Sequence, residues 1–499
     1  MKRLSTFLLT AIATLNVMAT DYTDHLLVMV NGEGSEQQAT ISVTEHDGLY
    51  DLNLRNFILM NGDEPMPVGN VELTGIVPQR KGEAIVLHAA QNIVVTEGDA
   101  EGVLFWMGPM LGELPVNVVA IVEDDQLRAL ITLDLMDMLQ QKVEVRIGEA
   151  MLSGKGYHIP NGDFEAWHTS TGSYVEPNAW HSFESASGLL AALAGHHIEK
   201  SDKGRDGSVC ARIFATSIFG IVANGTMTTG RMNAGAMVAN DPNNNAYLDM
   251  SATDVDGNGD PFYVSLTSHP DSLAFWVKFN QGTTNASHPY ATVSAVITDG
   301  TYYQDPEDKE YTNVVAKAAN HEIAITGDDW RRISMPFNYV SESVQPKAIL
   351  VTISTNADAG QGSSNDEVLV DDLTLIYNAR LASLNVDGFA PDKFSYELDA
   401  DVDLQPVADS RDAFVVKSEQ PTAEGHQVLL TVYAADLLSS NTYTININNG
   451  GNGIADMPAV GRTAAESFFT LGGQQILTPV SGHVYVVRRS DGSTAKVMF

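Results

Sequence analysis

Between His25 and about Gly148, apolar and polar residues alternate in one short run after another: "HLLVMVNG", "ATISVTEHDGLYDLNLRNFIL", "GNVELTGIVPQ", "EAIVLHAAQNIVV", "VNVVAIVEDDQLRALITLDL" and "QKVEVRIG". In the second run Tyr50, Leu52 and Leu54 interleave with Asp51, Asn53 and Arg55, the two-residue period of a strand with one buried face. Asn31-Gly32, Asp47-Gly48 and Asn61-Gly62 separate such runs, and these dipeptides adopt the positive φ values of tight hairpin turns. The pattern predicts an antiparallel meander of about eight strands, closing as an up-and-down barrel because closure removes exposed strand edges.

The short Gly-bearing stretch "GEAMLSGKGY" then reads as a linker. From Ile159 to Tyr377 the alternation resumes in "SVCARIFATSIFG", "SLAFWVKF", "ATVSAVITDG", "WRRISMPFNY", "AILVTIST" and "EVLVDDLTLIY", joined by long loops rich in Asn, Gly, Asp and Ser. That predicts a two-sheet sandwich carrying function on its loops. Short strands from about Ala379 to Asn448 predict a small immunoglobulin-like sandwich, and "NNGGNGIADMPAVGRTA" a flexible linker. The whole chain therefore reads as all-β: a barrel at 20–150, a sandwich at 157–378, a small sandwich at 379–449, a linker at 450–465 and a β-rich tail at 466–499.

The first residues change the picture of where the chain works. Lys2 and Arg3 precede an apolar run from Leu4 to about Val17 and a small-residue site at Val17-Met18-Ala19, the layout of a secretory signal peptide at 1–19. The expected location is secreted, in the periplasm or on the outer surface of a bacterium. With 28 Lys+Arg against 63 Asp+Glu, the net charge is −35. Such a surface offers no basic face for phosphates, so nucleic acid is not an expected partner. The single cysteine, Cys210, excludes an intramolecular disulfide and reads as a buried residue on a strand.

The residues also carry resemblances. "YDLNLRNFIL", "VGNVELTGI" and "ALITLDLMDMLQQKVEVRIG" resemble the calycin-like β-barrel domains of exported bacterial proteins, which implies a lipocalin-type barrel. "IPNGDFEAW", "PNAWHS", "ANGTMTTG", "HPDSLAFWVKF", "DDWRRISMPFNY" and "STNADAGQGSSNDEVLVDDLTLIY" resemble the carbohydrate-metabolism-domain family, jelly rolls related in shape to carbohydrate-binding modules. The 379–449 segment is similar to cadherin-like sandwich modules. The last 34 residues are similar to C-terminal sorting tails, with Gln474 and Gln475 where those tails usually carry Arg. That likeness implies attachment to the envelope through the tail.

The jelly-roll likeness implies a polysaccharide or glycan as partner, held by aromatic faces stacked on sugar rings. Trp167, Trp180, Tyr247, Tyr302 and Tyr303 are the candidate platforms, whereas Trp276 and Trp330 read as core or core-edge residues. It also implies a structural calcium bridging the first and last strands through Glu165 and Asp372. Independently, Asp254, Asp256 and Asn258 in "DVDGNGD" reproduce the first half of a calcium loop, although Ser265 stands where its bidentate Glu would be.

No Gly-x-Ser-x-Gly, His-Glu-x-x-His, P-loop or dinucleotide fingerprint is present, and His196-His197, adjacent on an extended segment, diverge. The function expected is non-catalytic glycan binding by an exported envelope protein. The alternatives are a glycoside hydrolase using carboxylates outside any motif, and a structural or adhesive surface protein.

Overall fold

The computed structural model describes residues 18–448, apart from 62–63, 124, 137–139, 171, 342 and 423–424, and beyond them four short strands between 467 and 498. Residues 1–17 of the expected signal peptide and the whole of the expected 450–465 linker lie outside the described residues. The chain divides into two compact units, Met1–Leu381 with Ala408–Val415 and Val432–Asn441, and Ala382–Val407 with Val416–Thr431 and Thr442–Phe499.

The first unit opens with nine strands: β1 (Met18–Val30), β2 (Glu33–His46), β3 (Leu49–Asn61), β4 (Glu64–Ile76), β5 (Pro78–Lys81), β6 (Ala84–Val94), β7 (Glu113–Glu123), β8 (Gln126–Leu135) and β9 (Gln141–Ile147). They form one antiparallel sheet in the order β4-β3-β2-β1-β9-β8-β7-β6-β5. The sheet curls until Asn70 of β4 meets Thr96 beyond β6, the two exchanging backbone hydrogen bonds of 2.8 and 3.1 Å. Its interior is filled by Leu26, Leu87, Val118 and Ala120, all fully buried, with Tyr50 and Leu52 among them. Two of the three expected turns appear, at Asn31 (φ 52°) with Gly32 (φ 92°) and at Asp47 (φ 50°) with Gly48 (φ 78°), while Gly62 of the third lies outside the described residues. Alternation fails where Asn56, at φ 54°, bulges β3 against β4.

The remainder of this unit is built from β10 (Trp167–Thr169), β11 (Val175–Pro177), β12 (Ile198–Ser201), β13 (Cys210–Phe214), β14 (Thr216–Ile218), β15 (Ile221–Ala223), β16 (Thr226–Thr228), β17 (Arg231–Ala234) and β18 (Asn244–Tyr247). These are followed by β19 (Val264–Ser265), β20 (Ser272–Asn280), β21 (Ala291–Thr298), β22 (Gln304–Asp305), β23 (Val314–Ile323), β24 (Arg331–Pro336), β25 (Asn338–Tyr339), β26 (Ala348–Ser354) and β27 (Glu367–Ile376). Two antiparallel sheets make the sandwich: β12-β13-β27-β20-β24, and β16-β26-β21-β23-β25 with β19 added to β26. Leu273, Phe275, Val277 and Phe279 of one sheet and Val351, Ile353 and Ala295 of the other are fully buried. Cys210 is buried on β13 and burial pushes its thiol up to about 11.

The stretch "IPNGDFEAW" is a corner before it is a strand. Asn161 and Phe164 both take left-handed φ, 50° and 53°, and β10 begins only at Trp167. Asn161 holds the corner: its side-chain oxygen accepts from the Ala166 amide at 3.0 Å, while its nitrogen donates to the Ala166 and Asn178 carbonyls at 2.9 and 3.0 Å. The corner reaches the last strand, where the Leu373 amide donates to the Gly162 carbonyl at 2.7 Å.

A further four-stranded sheet orders Ser395–Leu398, Ser440–Asn448, Gly425–Tyr433 and Phe414–Pro421, the first pair parallel. Near the C-terminus, Gln475–Ile476, Ser467–Phe469, Val484–Arg488 and Thr494–Met498 form a separate four-stranded antiparallel sheet. Among the described residues no helix is long and apolar enough to cross a membrane.

Candidate functional site

The outer face of the β16-β26-β21-β23 sheet is the floor of a groove of about 900 Å³. Strand alternation builds that floor. Met227, Ile353 and Val293 point into the core with at most 1% exposure, so Thr226, Thr352, Ser354, Thr292 and Ser294 point out. Register then lines these hydroxyls up across strands: Thr226 opposite Ser354, Ser354 opposite Thr292, and Thr352 opposite Ser294. Thr226 Oγ1 donates to Ser354 Oγ at 3.3 Å, and Thr292 Oγ1 lies 2.7 Å from His321 Nδ1. Ser294 donates to the Asp305 carboxylate, brought alongside by β22.

The walls are loops held in shape by their own amides. Asn244 donates to the carbonyls of Ala236 and Val238 at 3.0 and 2.8 Å, and Asn224 donates to that of Asp358 at 3.2 Å. Apolar side chains line the groove between them: Leu193, Ile221 and Met237 are 51%, 43% and 50% exposed. Thr352 Oγ1, Asn224 Oδ1 and Asn245 Oδ1, all on lining residues, have no hydrogen-bond partner in the protein. Asp358 is paired with His288 at 2.6 Å and Glu307 with Lys317 at 2.6 Å. Such a groove offers rows of donors and acceptors below and apolar contact at the sides.

None of the five aromatics expected as sugar platforms lines this groove. Trp180 is fully buried against Phe164, ring centroids 5.3 Å apart, with its indole N–H donating to the Pro160 carbonyl, so it has no face to offer. Tyr303, 2% exposed, is a core residue packed with Leu248 and Leu350. These two expectations are corrected: their polar loops conceal ordinary core positions. Trp167 is half-buried and donates to the Phe164 carbonyl at 2.6 Å. Tyr247 and Tyr302 do come together, centroids 5.8 Å apart, with Tyr302 49% exposed on a neighbouring surface.

The expected calcium ligands are dispersed among protein partners. Glu165 accepts from the Val209 amide at 3.0 Å, and Asp372 pairs with Arg205 at 2.5 Å. The buried acid beside them is Asp371, whose carboxylate accepts from the Arg205 and Asp372 amides at 2.7 and 2.9 Å; burial raises its pKa and these hydrogen bonds oppose the rise. In the "DVDGNGD" loop Asp254 pairs with Arg231 and the Asn258 side chain donates to Asp260 at 2.9 Å. Asp256 Oδ1 accepts from the Asn258 and Asp260 amides while its Oδ2 faces His168 and His181, so the three expected donors have separate partners and the half-loop expectation is corrected.

Asp256 instead meets residues that no spacing motif connects. His168 on β10 lies opposite Glu176 on β11, and Asp256 Oδ2 sits 3.3 Å from His168 Nε2 and 3.5 Å from His181 Nδ1. A ligand atom from each of His168, Glu176 and Asp256 lies within 4.8 Å of the others. Burial lowers the pKa of His181, favouring the neutral imidazole. His196 and His197 diverge as expected, His196 to Glu184 at 3.0 Å and His197 to the Ala194 and Phe214 carbonyls at 2.7 and 3.0 Å.

The groove residues were missed because Thr and Ser on strands carry no motif. Their signal is the alternation itself, Thr292 and Ser294 in "ATVSAVIT" and Thr352 and Ser354 in "AILVTIS", hydroxyls where a solvent face more often shows charge.

Comparison with known proteins adds the following. Residues 18–147 match the family model of the calycin-like beta-barrel domain. No curated protein matches the sequence. Among solved structures, the chain is similar to a Bacteroides thetaiotaomicron protein provisionally described as a glycoside hydrolase, with TM-score 0.34 and 14% identity over 53% of this chain and 87% of that one. It is similar to a family 61 carbohydrate-binding module solved with β-1,4-galactotriose, with TM-score 0.20 and 8% identity over 43% of this chain and 91% of that one. A third, from a study of promiscuous carbohydrate-binding modules of the β-sandwich superfamily, gives TM-score 0.21 and 9% identity over 72% and 97%. By its family match, the N-terminal 18–147 region is a calycin-like β-barrel domain.

Proposed function

We propose that this is an exported cell-envelope protein whose sandwich binds a glycan, without catalysis, in the groove over the β16-β26-β21-β23 sheet. The observation that carries the reading is the floor: hydroxyls of Thr226, Ser354, Thr292, Thr352 and Ser294 in cross-strand register, flanked by His321 and Asp305. A pyranose presents alternating hydroxyls and C–H faces, which suits a polar ladder between apolar walls. The groove volume falls within the range of about 300–1,000 Å³ common for ligand clefts. Export is supported by the charged and apolar pattern of residues 1–19.

A glycan array probed with the full-length protein, followed by calorimetry on the best hit, tests this. Asp305→Ala is expected to weaken binding by about 10–100-fold with an unchanged melting temperature, the worth of a hydrogen bond to a charged group. A folded protein that binds no glycan, or binds one equally well as Asp305→Ala, overturns the groove assignment. Release of reducing sugar from the bound glycan would replace binding with hydrolysis.

A further inference from the structure

His168, His181 and Asp256 pose an electrostatic problem that the protein alone does not solve. His168 Nδ1 lies 3.2 Å from the side-chain oxygen of Asn178, and His181 Nε2 lies 3.2 Å from the carbonyl of Pro261. Those oxygens can only accept, so Nδ1 of His168 and Nε2 of His181 carry the protons. The remaining nitrogens, His168 Nε2 and His181 Nδ1, are lone-pair donors in the neutral rings, and both face Asp256 Oδ2 at 3.3 and 3.5 Å.

Neither approach has hydrogen-bond geometry, and none of the three atoms has any other partner. The side chains of His181 and Asp256 are fully buried and that of His168 is 8% exposed. Two imidazole nitrogens thus flank one carboxylate oxygen, out of water, without a hydrogen bond between them. Buried polar atoms are ordinarily paired, and a convergent trio left open is a demand for a cation.

The supporting contacts are those of a metal shell. Each imidazole is oriented by an acceptor on its far nitrogen, as metal-ligating histidines are. Asp256 Oδ1 accepts from the Asn258 and Asp260 amides, both at 2.8 Å, which fixes the carboxylate. Glu176 is fully buried opposite His168, its Oε1 held by the Ser182 amide and hydroxyl at 2.6 Å each and its Oε2 accepting from Ser170 at 2.9 Å.

We propose that His168, Glu176 and Asp256, whose ligand atoms lie within 4.8 Å of one another, form with His181, 3.5 Å from Asp256 Oδ2, a structural site for a divalent transition-metal ion of the zinc class. A tetrahedral ion with bonds of about 2.0–2.1 Å sets its ligand atoms about 3.3–3.4 Å apart, and the two nitrogen-to-oxygen separations bracket that spacing. Two neutral imidazoles and two carboxylates supply two negative charges to a dication. Calcium, which takes six to eight oxygens at about 2.3–2.6 Å, does not suit a set half nitrogen. The shell is closed to solvent, so the ion joins the β10–β11 hairpin, the His181 segment and the Asp256 loop rather than performing chemistry. In a chain with one cysteine it takes the place of a disulfide.

The test uses the full-length protein, stripped with a chelator and titrated with Zn²⁺ alone against a chromophoric competitor. One equivalent of Zn²⁺ per chain and a higher melting temperature are expected, with millimolar Ca²⁺ giving neither. Co²⁺ in its place should show the intense visible absorption of a tetrahedral site. His181→Ala and Asp256→Asn should abolish stoichiometric binding. Asn178→Ala, which only releases the His168 ring, should weaken it by about 10–100-fold. Should the two ligand variants fail to fold, the wild-type Co²⁺ spectrum and Asn178→Ala decide. Folded wild-type protein that takes up no Zn²⁺, an octahedral Co²⁺ spectrum, or affinity unmoved by Asn178→Ala overturns the site.

Discussion

Trp180→Ala is expected to lower the unfolding free energy of the first unit by about 3–5 kcal/mol, the range for removing a large aromatic from a core. The side chain is fully buried, packs at 5.3 Å on Phe164 and donates its indole N–H to the Pro160 carbonyl at 3.2 Å. Truncation leaves a void that the left-handed backbone at Phe164 cannot readily fill, because that corner is pinned by the three hydrogen bonds of Asn161. Tyr302→Ala, at a residue 49% exposed, should change stability by no more than about 0.5 kcal/mol. Denaturant melts of the two variants beside the parent check this. Equal effects would mean that Trp180 is not the core residue its burial indicates.

That contrast also marks where residue pattern informs and where it stops. Period-two alternation and Asn-Gly or Asp-Gly turns are local, so Tyr50 and Leu52 facing inward and the turns at Asn31 and Asp47 are legible in the chain. The Asn56 bulge is less so, since it depends on the side chain of Asn70 accepting the Asn56 amide at 2.8 Å across the sheet. Exposure of an aromatic in a polar loop is less legible still: Trp180 and Tyr302 sit in similar surroundings by sequence and differ because only one corner folds over its ring.

The candidate sites follow the same rule. Asp256 attracted notice for its calcium-like spacing, yet its neighbours in that pattern go elsewhere and its real companions are remote, His168 by 88 residues and His181 by 75 in the numbering. No periodicity joins them; hairpin register places His168 beside Glu176, and the loop from 249 to 262 delivers Asp256. The groove is half legible, because strand alternation sets Thr292 and Ser294 on one face, but only sheet order shows that Thr226 and Ser354 extend the same ladder.

Gly162→Ala is the other substitution expected to act strongly, and it addresses how the two ends of the sandwich are joined. A methyl built at Gly162 would stand 2.0 Å from the Leu373 carbonyl oxygen, a backbone atom that cannot rotate aside. The same two residues share the 2.7 Å hydrogen bond from the Leu373 amide to the Gly162 carbonyl, so relieving the clash pulls the corner off β27. Close approach is why glycine stands there. The expected loss is about 3 kcal/mol, the upper end for overpacking, while Asp163→Ala at the exposed neighbour stays within about 0.5 kcal/mol. The join expected from sequence was a calcium shared by Glu165 and Asp372; if that ion supplied the closure, calcium should restore Gly162→Ala to parental stability. Closure by backbone contact predicts instead that the loss is the same with calcium and with chelator, as read by paired thermal melts.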